Sequence, residues 1–412
     1  MLKNYFKIAI AVLKRRKFFT FISLFGISFT LTILIVLTSF YDFMTDAGYP
    51  DTKRSRSLYV QRMALEFPKT GGGRSGPVSN HFVEAYVSKL KLPEKVAMGS
   101  IFYSTNTYIN NKKLVINMKY TNDQFWEVFD FRFLEGKPYG AREIANRERT
   151  VVITETIKRR YFGDVPSVVG KYITTDNEQF RVSGVVKDVP ITDLFCYGEF
   201  FVPYTLLKSG LDDKGFNGRF LLVLLAPDKS KVPAMQKEYA DLIKKLPLPE
   251  PDVIIESNAD YYVESYTRQF FRDKKGGSGY RTFMLYIYSF LFFFMLLPTL
   301  NLVNINMSRI MERGSEIGVR KAFGASSGTL AIQFIIENLI LTVIGGIIGV
   351  VLSVIVIAIF NNSGAIPYAN LTINLKVLFI SLLLCLTFGL LSGVYPAWRM
   401  SRLQVIRALK AV

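Results

Sequence analysis

The sequence predicts an α-helical membrane protein with four transmembrane helices and a large mixed α+β extracytoplasmic domain inserted between helices 1 and 2. Three observations predict it. Long uncharged apolar runs lie at both ends of the chain, a charge-balanced stretch separates the first run from the second, and the excess basic residues sit in three short flanks. A helix of about 20 apolar residues spans the ~30 Å hydrocarbon core of a bilayer.

The first run, Phe18 to Tyr41, has 24 residues without a charge. The apolar core of a cleaved signal peptide is about 7–15 residues. The length, with no small-x-small cleavage site after it, predicts an uncleaved anchor. Ahead of it, residues 2–14 have helical periodicity, with Lys3, Lys7 and Lys14 on one side and Leu2, Tyr5, Phe6, Ala9 and Leu13 on the other. This segment reads either as an interfacial amphipathic helix or as a plain basic flank that orients the first span.

The second run, Thr282 to Ser308, is uncharged, and Pro298 in its middle predicts a kink. The third, Leu330 to Phe360, is interrupted only by Glu337 and stops at Asn361-Asn362; the fourth runs from Val377 to Trp398. The chain thus divides into a cytoplasmic amphipathic basic helix (1–17), helix 1 (18–41), an extracytoplasmic domain (42–280) and helix 2 (281–308). A cytoplasmic loop (309–329), helix 3 (330–360), a short outer loop (361–376), helix 4 (377–398) and a basic cytoplasmic tail (399–412) follow.

Charge sets the orientation. Of the formal +18, a net +12 falls in Lys3–Lys17, Arg309–Lys321 and Arg399–Lys410, which together hold fourteen basic and two acidic residues. Residues 42–280 hold 35 basic and 30 acidic residues, so the excess marks topology and not a nucleic-acid surface. With both termini cytoplasmic, all three basic stretches face inward, and the loop 361–376 carries one basic residue.

Within 42–280, Thr150–Ile153 and Gln179–Val186 read as strands. Glu155–Phe162 reads as a helix stopped by Gly163, and Ala234–Leu246 as a helix stopped by Pro247. Gly71-Gly72-Gly73 with Gly76-Pro77 reads as a flexible loop and not a phosphate loop, because no Gly-Lys-Ser/Thr follows. Lys274–Gly279 reads as a hinge into helix 2.

Chemistry-bearing motifs are sparse. The single histidine, His81, and two cysteines, Cys196 and Cys385, provide no metal cluster, and the two cysteines fall in different compartments, which predicts no disulfide. No Walker A, nucleophile-elbow or dinucleotide motif occurs, so no catalytic, cofactor-binding or metal residue is assigned. The most informative segment is Met311 to Ser326. Ser315 can cap a short helix with Glu316 in its first turn, Arg320 and Lys321 near its end, and Gly324 as terminator. That helix presents Ile317 and Phe323, and it reads either as a docking element for a cytoplasmic partner or as an ordinary charged connection. Gly345-x-x-x-Gly349 and Gly389-x-x-x-Gly393 permit close helix approach, or else face lipid. Glu337, about 15 Å into the third helix, reads as a proton or substrate group, as a hydrogen-bonding group at the cytoplasmic end, or as a contact to a neighbouring helix.

Glu316–Ala325, then Gln333-Phe334-Ile335-Ile336-Glu337 and Gly345-Gly346-Ile347-Ile348-Gly349, resemble the permease segment of the FtsX/MacB/LolC-type ABC transporters. Tyr395-Pro396-Ala397-Trp398-Arg399 with Ile406-Arg407-Ala408-Leu409 resembles the closing motif of that family, and Val151–Val189 is similar to its MacB-like extracytoplasmic (periplasmic) core domain. The resemblance implies a non-catalytic permease in the bacterial inner membrane, paired with a second permease chain as homodimer or heterodimer. It implies a separate ABC ATPase subunit that binds ATP and Mg, since the fused ATPase of MacB is not found in this sequence. Glu312, Ser315, Glu316, Ile317, Gly318, Arg320, Lys321, Phe323 and Gly324 would then couple to that ATPase. The implied activity is mechanotransmission to the periplasmic domain for export or extraction of a peptide, lipoprotein, antibiotic or similar cargo, with a periplasmic or outer-membrane partner. The alternative is an FtsX-like regulator that activates a periplasmic cell-wall hydrolase or sensor; a stand-alone receptor is the third reading.

Overall fold

The computed structural model describes residues 10–11, 13–15, 17–69, 71–109, 112–249, 251–271, 276–312, 318–320 and 322–401. The chain forms two compact units: one of residues 1–43, 284–365 and 370–412, the other of residues 44–283 with 366–369. They are taken in turn below, with elements labelled in chain order.

Helix α1 (Lys17–Thr45) opens the first unit. The outer unit then runs β1 (Ser57–Val60), β2 (Met63–Phe67), β3 (Gly72–Gly76), α2 (Asn80–Ala85), β4 (Lys95–Ser100), β5 (Tyr103–Ile109), β6 (Lys112–Thr121) and α3 (Phe125–Val128). It continues with β7 (Phe133–Gly136), α4 (Ala141–Ala145), β8 (Thr150–Thr154), α5 (Glu155–Phe162), β9 (Tyr172–Thr175), β10 (Glu178–Val186), β11 (Phe200–Pro203), β12 (Phe220–Leu225), α6 (Val232–Lys244), β13 (Ile254–Ser257) and α7 (Tyr262–Phe271). Helices α8 (Tyr280–Glu312), α9 (Ser327–Ser363) and α10 (Leu375–Ser401) complete the described chain.

The outer unit is built on one large mixed sheet of order β1-β12-β4-β6-β11-β8-β10-β7, with β5 on β6 and β9 on β10. Next to the edge strand β1 lies β12, Phe-Leu-Leu-Val-Leu-Leu, buried at every position. Alternation sends successive side chains to opposite faces. Leu58, Val60, Leu222 and Leu224 pack on one side with Met235 and Tyr239 of α6. Tyr59, Leu221, Val223 and Leu225 pack on the other with Phe125, Phe195 and Tyr262. Parallel β8 and β10 are joined through α5, whose start is capped by Thr154 Oγ1 accepting from Ile157 N (3.4 Å) and whose end is Gly163 at φ +74°.

Two expectations need correction. The glycine-rich stretch forms β3, an exposed edge strand on β2 in a second sheet of order β13-β2-β3. Main-chain bonding to β2, whose Met63 and Ala64 are buried, holds it without any contribution from side-chain propensity. The helix expected over Ala234–Leu246 is shifted to Val232–Lys244. Pro233 sits in its first turn, where a missing N–H costs nothing, and the helix ends ahead of Pro247.

In the first unit, Lys17–Thr45 and Gly328–Ser363 are long and apolar enough to cross a membrane; Tyr280–Leu296 and Leu378–Val394 are shorter apolar stretches within α8 and α10. Helix α8 continues through Pro298. Helix α9 runs past the expected Asn361-Asn362 stop to Ser363, with Gly364 in the left-handed region at φ +65°. Asn361 binds back across the connection, accepting from Leu371 N at 2.9 Å and donating to Leu371 O at 3.0 Å.

Candidate functional site: the turn between α8 and α9 and the buried polar contacts

The chemistry expected of this chain lies in a turn, a helix-packing seam and a buried charge cluster. In the turn, α8 ends at exposed Glu312, while Ser315, Glu316, Ile317 and Lys321 lie outside the described residues. Gly318 is buried, Arg320 half-buried, and Phe323 is 87% exposed. The Phe323 N–H donates to Val319 O (3.1 Å) and the Ala325 N–H to Arg320 O (3.0 Å), which closes a short helical end with Gly324 at φ +88°. A side chain at Gly324 is strained by that φ whatever room surrounds it. Ser326, which sequence reading did not single out, caps α9 by accepting from Thr329 N at 3.1 Å. Its signal was visible: a serine directly before an apolar helix.

The turn is tied to α9 by a polar ladder. Arg320 Nη1 donates to Gln333 Oε1 (3.1 Å), and Gln333 Nε2 donates to Glu337 Oε1 (3.0 Å). Gln333 and Glu337 are both buried, so Glu337 is held inside the helix cluster by a one-turn neighbour. Gln333→Leu removes both rungs; it should destabilise the turn by about 1–3 kcal/mol. Hydrogen exchange across Gly318–Ala325 should accelerate accordingly, and unchanged protection there would show that the ladder does not hold the turn.

Glycines set the seam. A Cβ on Gly345 would lie 2.7 Å from Ile27 Cγ2 of α1, and one on Gly349 would lie 2.9 Å from the Ser28 carbonyl oxygen. Real Cβ atoms do not approach that closely, so α1 and α9 meet at these two positions. Thr32 Oγ1 lies beside them, 3.1 Å from Gly349 O. Gly389 and Gly393 of α10 meet α9 instead, with ideal Cβ positions 2.3 Å from Thr342 Oγ1 and 2.3 Å from Asn338 Nδ2. Asn306 of α8 donates to Ser392 O at 3.2 Å.

The outer unit holds the third feature, absent from the sequence reading. Arg54 Nε donates to Asp51 Oδ2 (2.8 Å) and Nη2 to Asp193 Oδ2 (3.1 Å); Nη1 donates to the carbonyls of Thr45 (3.2 Å) and Asp46 (2.6 Å). Its guanidinium carbon lies 3.5 Å from the centroid of the Tyr262 ring. Asp51 Oδ2 also accepts from Tyr59 OH at 2.6 Å, and Asp193 Oδ1 accepts from Phe195 N and Cys196 N. Burial, then the negative charge of Asp51, push the Asp193 carboxyl up to about 6 against the pull of Arg54. Wholly buried Lys119 is drawn down to about 8 by desolvation and donates to Ser100 O (2.7 Å) and Leu194 O (3.1 Å). Arg54 gathers Thr45 and Asp46, Asp51, the connection between β10 and β11 at Asp193, and Tyr262 at the start of α7. It lies 139 residues from Asp193, and no local spacing signals that pairing. Cys196 is buried here, whereas Cys385 lies in α10.

Apolar helices packed through glycines, with a folded mixed α/β domain carried between the first and second of the long ones, define a membrane-embedded permease with an outer domain. Residues 20–242 match the MacB-like periplasmic core domain and residues 288–405 the FtsX-like permease C-terminal segment, so the chain belongs to this family of ABC transporter permeases. It is 25% identical to the ABC transporter permease YknZ of Bacillus subtilis over 70% of this chain and 68% of YknZ. It is 24% identical to the macrolide export ATP-binding/permease protein MacB of Mannheimia succiniciproducens over 79% of this chain and 47% of that protein. The chain thus spans about half the length of that ATP-binding/permease relative. The solved periplasmic region of MacB from Actinobacillus actinomycetemcomitans aligns with 48% of this chain and 88% of its own, at 17% identity and a TM-score of 0.34.

Proposed function

We propose that this chain is an export permease whose four long helices all span the inner membrane, with both termini cytoplasmic and the α/β domain outside. The basic flanks support that orientation. A separate nucleotide-binding subunit, carrying ATP and Mg, docks on the turn from Glu312 to Gly324, and two permease chains assemble per complex. Closure of the ATPases moves the turn, α8 carries the movement across the bilayer, and the outer domain does the work on its cargo. Relatives named for macrolide export and pyoverdine export support export as the activity, with a peptide, lipoprotein, antibiotic or similar cargo.

The observation that carries this reading is Phe323. A large apolar ring 87% exposed, on a short turn bonded to α9 through Arg320 and Gln333, has the character of an interface anchor. Loss of such an anchor costs about 2 kcal/mol or more, roughly thirtyfold in affinity. Phe323→Ser and Gly324→Trp should therefore strip the co-purifying ATPase from the tagged chain and abolish coupled turnover while leaving membrane insertion intact. Glu316→Lys should do the same. Full ATPase recovery and normal turnover in all three variants would defeat the docking model.

A further inference from the structure

The two ends of the outer unit's chain meet around a cleft of about 420 Å³ that the coupling reading does not use. Its walls include Asp46, Arg54, Tyr261, Glu264 and Tyr280. Thr45, the last residue of α1, and Tyr280, the first of α8, both line it. The cleft therefore lies where the chain leaves one apolar helix and enters the next.

Its free charge is negative. Arg54 is committed, because its Nε and Nη2 donate to Asp51 and Asp193 and its Nη1 to the carbonyls of Thr45 and Asp46. Arg268, one turn beyond Glu264 in α7, is committed to both oxygens of Asp260, at 2.5 and 2.8 Å. The carboxylates of Asp46 and Glu264 have no hydrogen-bond or ion-pair partner among the described residues. Glu264 is half-buried; burial, then the charge of Asp260, push its carboxyl above the ordinary carboxylate range. A cation placed there removes that penalty. A phosphate dianion would face two carboxylates with no free guanidinium to meet it.

Hydrogen bonding narrows the cation further. A primary ammonium has three N–H donors, which the four oxygens of two carboxylates can satisfy. A quaternary ammonium has none and is held by aromatic faces, and Arg54 already covers the Tyr262 face at 3.5 Å. The hydroxyls of Tyr261 and Tyr280 have no partner among the described residues and can donate to a phosphate. Tyrosine is also the residue type that gathers at membrane–water interfaces.

We propose that this cleft binds the primary-ammonium headgroup of an outer-leaflet phospholipid, its ammonium between Asp46 and Glu264 and its phosphate at Tyr261 and Tyr280. The bilayer is the source because the cleft lies at the ends of α1 and α8, a placement that rests on the orientation proposed above. The bound lipid bridges the end of α1 and the starts of α7 and α8, and so braces the entry to the outer domain.

Native mass spectrometry of the full-length chain in detergent tests this without any ATPase. Dioleoyl-phosphatidylethanolamine should be retained at least about tenfold more than dioleoyl-phosphatidylcholine, which differs only in its trimethylated ammonium. Dioleoyl-phosphatidylglycerol should be retained no better than the choline lipid. Asp46→Asn combined with Glu264→Gln should lower retention of the ethanolamine lipid to the choline level, with the thermal midpoint unchanged. Glycerophosphoethanolamine, the same headgroup without acyl chains, should not displace it. Equal retention of either control lipid, or wild-type retention in the double variant, overturns the proposal. Full displacement by glycerophosphoethanolamine assigns the cleft to a free solute and overturns the lipid. The orientation has its own readout: exposed Gly48, with room for a side chain, should as Gly48→Cys react with an impermeant maleimide added outside the cell membrane. No labelling there overturns the outer-leaflet source whatever the detergent result.

Discussion

Arg54→Met should cost the outer domain about 3–5 kcal/mol, the cost of leaving buried charge without its partner. Asp51 is completely buried, and one of its oxygens, Oδ1, has no hydrogen-bond partner among the described residues even with the arginine in place. Removing the guanidinium strands both Asp51 and Asp193 and frees the carbonyls of Thr45 and Asp46. Arg54→Lys should recover only part of the loss, since an ammonium cannot reach these acceptors with the planar fork. Urea unfolding followed by hydrogen exchange of β1 and β12 measures it, and a loss below about 1 kcal/mol would reduce the cluster to a surface pair.

The same cluster has a pH signature. The Asp193 carboxyl sits at about 6 in the folded chain against an ordinary value of 3.8. Between those two pH values the folded state holds a proton that the unfolded state has lost. The contribution of Asp193 is therefore fully present below about pH 4 and falls as pH rises through 6, by up to about 3 kcal/mol. The slope should vanish in Asp193→Asn.

The second large effect belongs to the seam between α9 and α10. Gly389→Ala places a methyl group against Thr342, whose Oγ1 is held by a 2.9 Å bond to Asn338 O and cannot rotate away freely. Overpacking of this kind costs about 1–3 kcal/mol, and Gly389→Leu should exceed it. Thr342→Ala removes the two nearest atoms and should restore most of the thermal stability of Gly389→Ala in detergent. Failure of that rescue would show that lipid contact, and not helix approach, selects glycine there.

Several elements were legible because their causes are local. Thr154 and Gly163 bracket α5 as cap and terminator, and the alternation of β10 is written in Gln179–Val186. The small-x-x-x-small spacing marked Gly345, Gly349, Gly389 and Gly393, yet it could not say which helix each would meet; two face α1 and two face α9. β12 was passed over because a six-residue apolar run has no period that separates a buried strand from a buried helix segment. β3 was read as a loop because its strand character comes from β2 and not from its own glycines.

Taken alone, the sequence determined the long apolar helices, the balanced domain between the first two and the family, because hydrophobic length, charge placement and short motifs are properties of contiguous residues. Tertiary structure alone decided what those helices and that domain contain. Arg54 reaching Asp193, Arg320 reaching α9 through Gln333, and the walls of the cleft at Glu264 all depend on side chains brought together from distant positions. Such contacts follow from how the elements pack, and packing energy is a property of the assembled core that no stretch of neighbouring residues records.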